Sequence, residues 1–390
     1  MACQGQSMGF VNDIRASRAP ALGFAAMGLV WAAFAAQVPV LKAQIGASDA
    51  QFGMCFLVSS LGALAAMWVA PAVDRRLGRF SVAVASVAVG ASILIPSVAT
   101  NLVFFTFGMV FASASSGILD IVINARVAEA EEARGRPLMN LNHGTYSFVY
   151  AGMALVTGGL REAGLAPVQV FAGILGLILL ATPLMRTRPA AVAGEESVIP
   201  QRADHLLVWL AGLVFLIGFL SEQAGDGWSA LHLERTLGGG AAEGALGPAI
   251  LGLTMGFGRL FGQIIAARVA DTVMISLACV VAAVGVVIAA LAPTLLVAYA
   301  GFAVMGLGVS VVVPLAMAIV GRMVPHAHRV AAIGRASIIG YGAFLVGPSL
   351  IGLTSDVFGL RVAFLVIAAL LMVVPAILVP LLVRRVQATA

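Results

Sequence analysis

The chain has 390 residues, of which 61% are hydrophobic and 10% charged, with a mean hydropathy of +1.06. Soluble domains carry about a quarter charged residues, so this composition excludes a soluble domain and points to a polytopic membrane protein. The net charge of +5 sits in short loops, which is an insertion signal and not a nucleic-acid surface.

A helix needs about 20 apolar residues to cross a bilayer. Twelve spans are predicted on that measure, near 20–41, 52–73, 81–99, 102–125, 139–160, 167–185, 205–226, 245–267, 272–291, 294–320, 336–355 and 361–383. The first apolar run is too long for a signal peptide and lacks a clear cleavage site. Cys3, Cys55 and Cys279 are scattered and give neither a disulfide framework nor metal spacing. Of the 22 Lys and Arg, seventeen fall on one side of this arrangement and four on the other, with Arg259 inside a span. The bias predicts that both termini face the cytoplasm.

The first span carries Trp31 and Gln37 but no acid. The second ends at APAVDRRLGRF (70–80). There Asp74, with Arg75, Arg76 and Arg79 beside it in a tight turn, can latch one helix to the next through charge-assisted bonds. In the fourth span Ser113, Gly117, Asp120 and Asn124 share one helical face. An Asp facing lipid is heavily penalised, so this face is expected to meet protein or a water-filled cavity.

The fifth span opens with Asn140, Asn142 and His143 and continues in two stripes, Asn142–Tyr146–Tyr150 and His143–Ser147. Asn and Ser often serve only as interhelical hydrogen-bonding residues. Asp120, however, lies about 27 Å in from the outer end of its span, and His143 a few residues from the inner end of the next. An acid and an imidazole at similar depth favour a shared cavity. The charged stretch from Glu129 to Arg136 reads as a solvated turn.

Residues 186–204 form the longest polar stretch. They divide the chain into a six-span half at 1–185, a cytoplasmic linker, and a second half at 205–390. Asp74 and Asp271 stand 197 residues apart, and Arg126 and Arg322 stand 196 apart, a weak internal echo. The second half has no acid in its fourth span. Its acids are Glu222 and Asp226, one turn apart, with Gly225 and Gly227 expected to weaken the helix. Arg259 is expected to pair with an acid or with carbonyls at a helix end. GYGAFLVGPSLIG (340–352) carries glycines that permit close helix approach, and Pro348, which permits a bend.

Twelve spans in two halves, the Asp74 loop and its partial echo at Asp271 resemble the major facilitator superfamily. D-x-x-x-N at 120–124, N-L-N-H at 140–143, E-x-x-x-D-x-W-S at 222–229 and G-x-x-x-x-G-P-x-x-x-G at 342–352 resemble its fucose-permease branch and bacterial inner-membrane relatives. The resemblance implies an all-α membrane fold of two six-helix bundles. It also implies a role in sugar recognition and proton coupling for the acid on the fourth helix, here Asp120. The acid that the fucose symporter carries on its first helix has no counterpart.

The resulting expectation is a proton-coupled secondary transporter of a small polar solute, sugars among the candidates, in the bacterial inner membrane. Two bundles would rock about a midplane site. The pathway residues are Trp31, Gln37, Asp120, Asn124, Asn140, Asn142, His143, Tyr146, Ser147, Glu222 and Asp226. The latch residues are Asp74, Arg75, Arg76, Arg79, Arg259 and Asp271. No cofactor is expected beyond the proton as coupling ion, and the expected partners are the solute and the lipid bilayer. A monomer follows from superfamily habit. The chain lacks a Walker-type phosphate loop, nucleophile–base sets and metal spacing, which argues against ATP drive and against an enzyme. The same acids would serve proton-antiport efflux of a metabolite or drug. A transport-inactive sensor or scaffold is disfavoured, because it has little reason to keep unpaired acids at membrane depth.

Overall fold

A computed structural model describes residues 17–135, 138–187, 205–266, 269–323 and 329–389. Most of the expected linker, together with the side chain of Arg322 from the internal echo, lies outside that description. All regular structure among the described residues is helical. The helices are α1 (Arg18–Gln44), α2 (Asp49–Leu77), α3 (Ser81–Ser92), α4 (Leu94–Ser97), α5 (Leu102–Arg134), α6 (Met139–Glu162) and α7 (Pro167–Ala181). They continue as α8 (His205–Leu231), α9 (Ala241–Ala266), α10 (Asp271–Leu291), α11 (Leu295–Met323), α12 (Arg329–Val373) and α13 (Val379–Thr389). A π-helical turn, His232–Thr236, continues α8, and another, Val374–Leu378, joins α12 to α13.

Among the described residues, nine stretches are long and apolar enough to cross a membrane. Two of them are 49 and 52 residues long, Asp49–Ser97 and Gly334–Arg385. A straight helix of that length would run to about 75 Å, more than twice the hydrocarbon thickness, so each must turn. The first turns at the 3₁₀ segment Gly78–Phe80, where Gly78 has φ 50°. The second breaks inside α12 at Gly359, φ 82°. Both angles are left-handed, where a Cβ is disfavoured. Pro348 lies inside the helix, which continues through it as far as Gly359.

Helix starts follow local chemistry. Ser48 and Gln51 form a capping box before α2: Gln51 N–H donates to Ser48 Oγ (3.3 Å) and Ser48 N–H to Gln51 Oε1 (2.9 Å). The Asn101 side chain accepts the Phe104 N–H at 2.9 Å and starts α5. That helix runs through the charged stretch expected to be a turn and ends at Gly135, φ 62°. Glu131 Oε1 then accepts the N–H groups of Leu138 (2.5 Å) and Met139 (2.7 Å), closing the free donors at the start of α6. Glu131, near the end of one helix, thus caps the start of the next.

The described residues divide into two compact units: those within Met1–Gly46 and Val58–Ala193, and those within Ala47–Leu57 and Gly194–Ala390. In the first unit α1 packs against α6, and α3 against α5. A Cβ on Gly28 would stand 2.9 Å from the Tyr146 carbonyl oxygen, so glycine lets the α1 and α6 backbones meet. In the second unit α8 packs on α12, and α10 on α11. Along the α10–α11 seam a Cβ on Gly285 would strike the Met305 nitrogen, one on Gly301 the Ala289 nitrogen, and one on Gly308 the Ala282 nitrogen. Gly225, expected to weaken α8, leaves it unbroken and instead makes room for Leu251 of α9.

Candidate functional site

In the first unit Asp120 and Asn124 lie one turn apart on α5. Asn124 Nδ2 donates to Asp120 Oδ1 at 3.0 Å and to its carbonyl oxygen at 2.8 Å. The acid is half-buried, and Asn124 is its side-chain partner among the described residues. Helix α1 supplies the level marker. Gly23 packs on Leu119 and Ile123, either side of Asp120, and the Phe24 ring stands 4.7 Å from the His143 ring. Two consecutive residues of α1 therefore touch the surroundings of both groups, and Asp120 and His143 share one depth.

Two turns further along α1, Trp31 Nε1 donates to Ser116 Oγ at 3.1 Å and ties α1 to α5. Gln37 is fully buried, and neither of its side-chain polar atoms has a partner among the described residues. A buried carboxamide without partners costs on the order of 1–3 kcal/mol. The other α6 residues divide. Asn142 is buried and donates to its own helix at Leu138 O (2.8 Å), with Oδ1 unpartnered among the described residues. Ser147 donates back to His143 O at 3.2 Å. Tyr146 packs on Tyr150, with ring centroids 5.7 Å apart. Asn140 is exposed and is not gathered with the others.

Asp74 makes a latch, but its partner is not the adjacent loop. Arg126 Nη2 of α5 reaches Asp74 Oδ1 at 2.7 Å and Oδ2 at 2.9 Å, while Nη1 grips both oxygens of Glu129 at 2.8 and 2.9 Å. Arg75, Arg76 and Arg79 take no part. The second-half echo, Asp271, stands in the first turn of α10, where a carboxylate favours the helix dipole.

In the second unit Arg259 Nη2 of α9 pairs with Glu222 Oε1 of α8 at 3.2 Å. Both side chains are 20% exposed. The expected acid partner for Arg259 is thus Glu222, and Glu222 is not an uncompensated acid. Asp226 is half-buried one turn further on.

A further cluster was missed by sequence reasoning. Asp49, buried at the start of α2, accepts from Arg235 Nη1 at 2.8 Å, from Arg235 Nη2 at 2.5 Å and from Ser355 Oγ at 2.5 Å. Asp356 accepts the Asp49 N–H at 3.1 Å. Beside it, Gly53 and Gly352 bring α2 and α12 into backbone contact. The available signal was the S-D-A-Q capping pattern at 48–51, which lies just before the apolar run that was counted.

Among the described residues no group of three or more His, Cys, Asp or Glu is placed to hold a metal ion. The arrangement sets a hydrogen-bonded carboxyl group in the first unit and an ion-paired one in the second.

Known proteins resemble this chain in sequence and in fold. Residues 215–390 match the family model of the Major Facilitator Superfamily. An uncharacterised transporter of Sinorhizobium fredii is 29% identical over 385 residues, covering 94% of this chain and 97% of its own. An uncharacterised MFS-type transporter of Yersinia pestis is 29% identical over 372 residues, covering 91% and 93%. Among solved structures, a D-xylose-proton symporter superposes with a TM-score of 0.74 at 16% identity, over 94% of this chain and 97% of that one, a likeness of fold. The chain is a multi-pass membrane protein similar to transporters over nearly its whole length, and its residues 215–390 match the major facilitator superfamily.

Proposed function

We propose that the protein is a proton-coupled secondary transporter of a small polar solute in the bacterial inner membrane. The observation that carries this reading is the Asp120–Asn124 pair held at the depth of His143. Carboxylates at membrane depth are costly and are kept where protons or substrates pass. Glu222 with Arg259 supplies an ion pair in the other unit. The fold likeness to a sugar–proton symporter is compatible with sugars as candidate solutes. Twelve spans fit the helices: each of the two broken runs counts as two, and α6, which is 24 residues long but polar at its start, adds one to the nine. The arginine bias supports a reading with both termini in the cytoplasm. Residues 1–185 and 205–390 then act as the two rocking halves, joined by the 186–204 linker.

The test is uptake by purified protein in liposomes, with sugars, sugar acids, amino acids and nucleosides as candidates chosen by thermal shift. Accumulation driven by an imposed pH difference, and lost on adding a protonophore, is expected. Accumulation that ignores the pH difference would refute proton coupling.

A further inference from the structure

Arginines collect at the turn between α2 and α3 without acids to match them. Arg79 Cζ stands 4.7 Å from the centroid of the Phe80 ring, and Arg186 Cζ stands 5.6 Å from the same centroid. The Thr187 N–H donates to Arg79 O at 3.0 Å and holds the end of the α7 segment against this turn. Arg75 and Arg76, one turn earlier, are exposed. The nearby acids are committed elsewhere, since Arg126 takes Asp74 and Glu129. Among the described residues, no carboxylate pairs with Arg79 or Arg186.

Two guanidiniums brought to one ring repel each other unless an anion lies between or above them. Guanidinium forks suit phosphate oxygens, and stacking on an aromatic face presets their orientation. The surroundings add an apolar half. Phe80 is itself exposed, as are Val84, one turn into α3, and Leu184, two residues before Arg186. The turn joins two apolar helical runs, so it sits at the boundary between hydrocarbon and water. A ligand that satisfies both halves has a phosphate on an acyl body.

We propose that Arg79, Phe80 and Arg186 form a binding site for an anionic phospholipid. The headgroup phosphate lies on the two guanidiniums, and an acyl chain runs along Phe80, Val84 and Leu184. Arg75 and Arg76 add long-range attraction. Each arginine at a membrane surface strengthens anionic-lipid binding by about 5-fold, so the pair is worth about 30-fold.

The test is native mass spectrometry of the full chain, exchanged into mixtures of phosphatidylglycerol and phosphatidylcholine. The wild type is expected to retain phosphatidylglycerol preferentially. The double variant Arg79→Gln/Arg186→Gln should lose most of that preference, while Arg384→Gln, far along the chain, keeps it. Thermal unfolding in neutral detergent checks that the double variant is folded. Should it fail to fold, Phe80→Ala, which removes the platform but no charge, takes its place and should weaken retention several-fold. Equal retention by wild type and folded variant would overturn the proposal. So would displacement of the lipid by millimolar inorganic phosphate, since a free-anion site needs no acyl chain.

Discussion

Replacing Asp74 by Asn tests the α2–α5 latch. The Arg126 side chain is 6% exposed and makes four contacts, two with Asp74 and two with Glu129, while its Nε has no partner among the described residues. Asp74 is 27% exposed and Glu129 45%. Breaking a fully buried pair costs about 3–5 kcal/mol, and an exposed pair is worth at most about 1 kcal/mol. Because Asp74 is partly wet and Glu129 still compensates the charge, Asp74→Asn should cost about 2 kcal/mol, a factor of about 30. A double-mutant cycle with Arg126→Met, read by unfolding in mild detergent, isolates the pair. A coupling near 1.5 kcal/mol is expected, within the range for residues in one ion-pair network. Solute binding should change only a few-fold while initial uptake slows. If the single effects add within about 0.5 kcal/mol, the latch contributes nothing and the reasoning fails.

Glu222→Gln is expected to exchange labelled for unlabelled solute across liposomes yet fail to accumulate it under a pH difference; accumulation at the wild-type level would remove Glu222 from coupling. Asp120→Asn should flatten the pH dependence of solute binding, measured by titration at several pH values, and an unchanged profile would count against a proton on Asp120. Arg235→Gln strands the buried Asp49 carboxylate, with Ser355 left to it, and should lower stability by about 2 kcal/mol after allowing for the exposure of Arg235. Adding Asp49→Asn to that variant should recover part of the loss, and no recovery would dissociate the two residues.

The sequence showed much of the helical layout, because hydropathy and helix length are local properties. It also showed that Asp74 sits at a helix end among arginines. It did not show that the partner is Arg126, because that contact spans 52 positions and depends on how α2 meets α5. Arg259 was legible as needing an acid or helix-end carbonyls, since a lone cation in a span is costly, but choosing Glu222 required the α8–α9 packing. The stretch from Glu129 onward misled for a different reason. A hydropathy scan stops where charges begin, yet Ala, Glu and Arg are strong helix formers, and α5 continues through them to Arg134. Gly225 was read by its helix propensity, when the approach of Leu251 decided its identity. Asp49 escaped because attention began at the apolar run, and its partners lie 186 and 306 residues away.

The backbone contact between α10 and α11 makes this pair an internal ruler. At Gly285, Gly301 and Gly308 the two backbones meet directly, so relative sliding would drive neighbouring side chains into backbone. Leu277 on α10 and Leu307 on α11 are exposed and can carry spin labels without entering the seam. The distance between those labels should stay constant through every stage of transport. Any second label pair whose distance changes can be measured against that fixed length, which separates true movement in the cycle from changes caused by detergent or lipid.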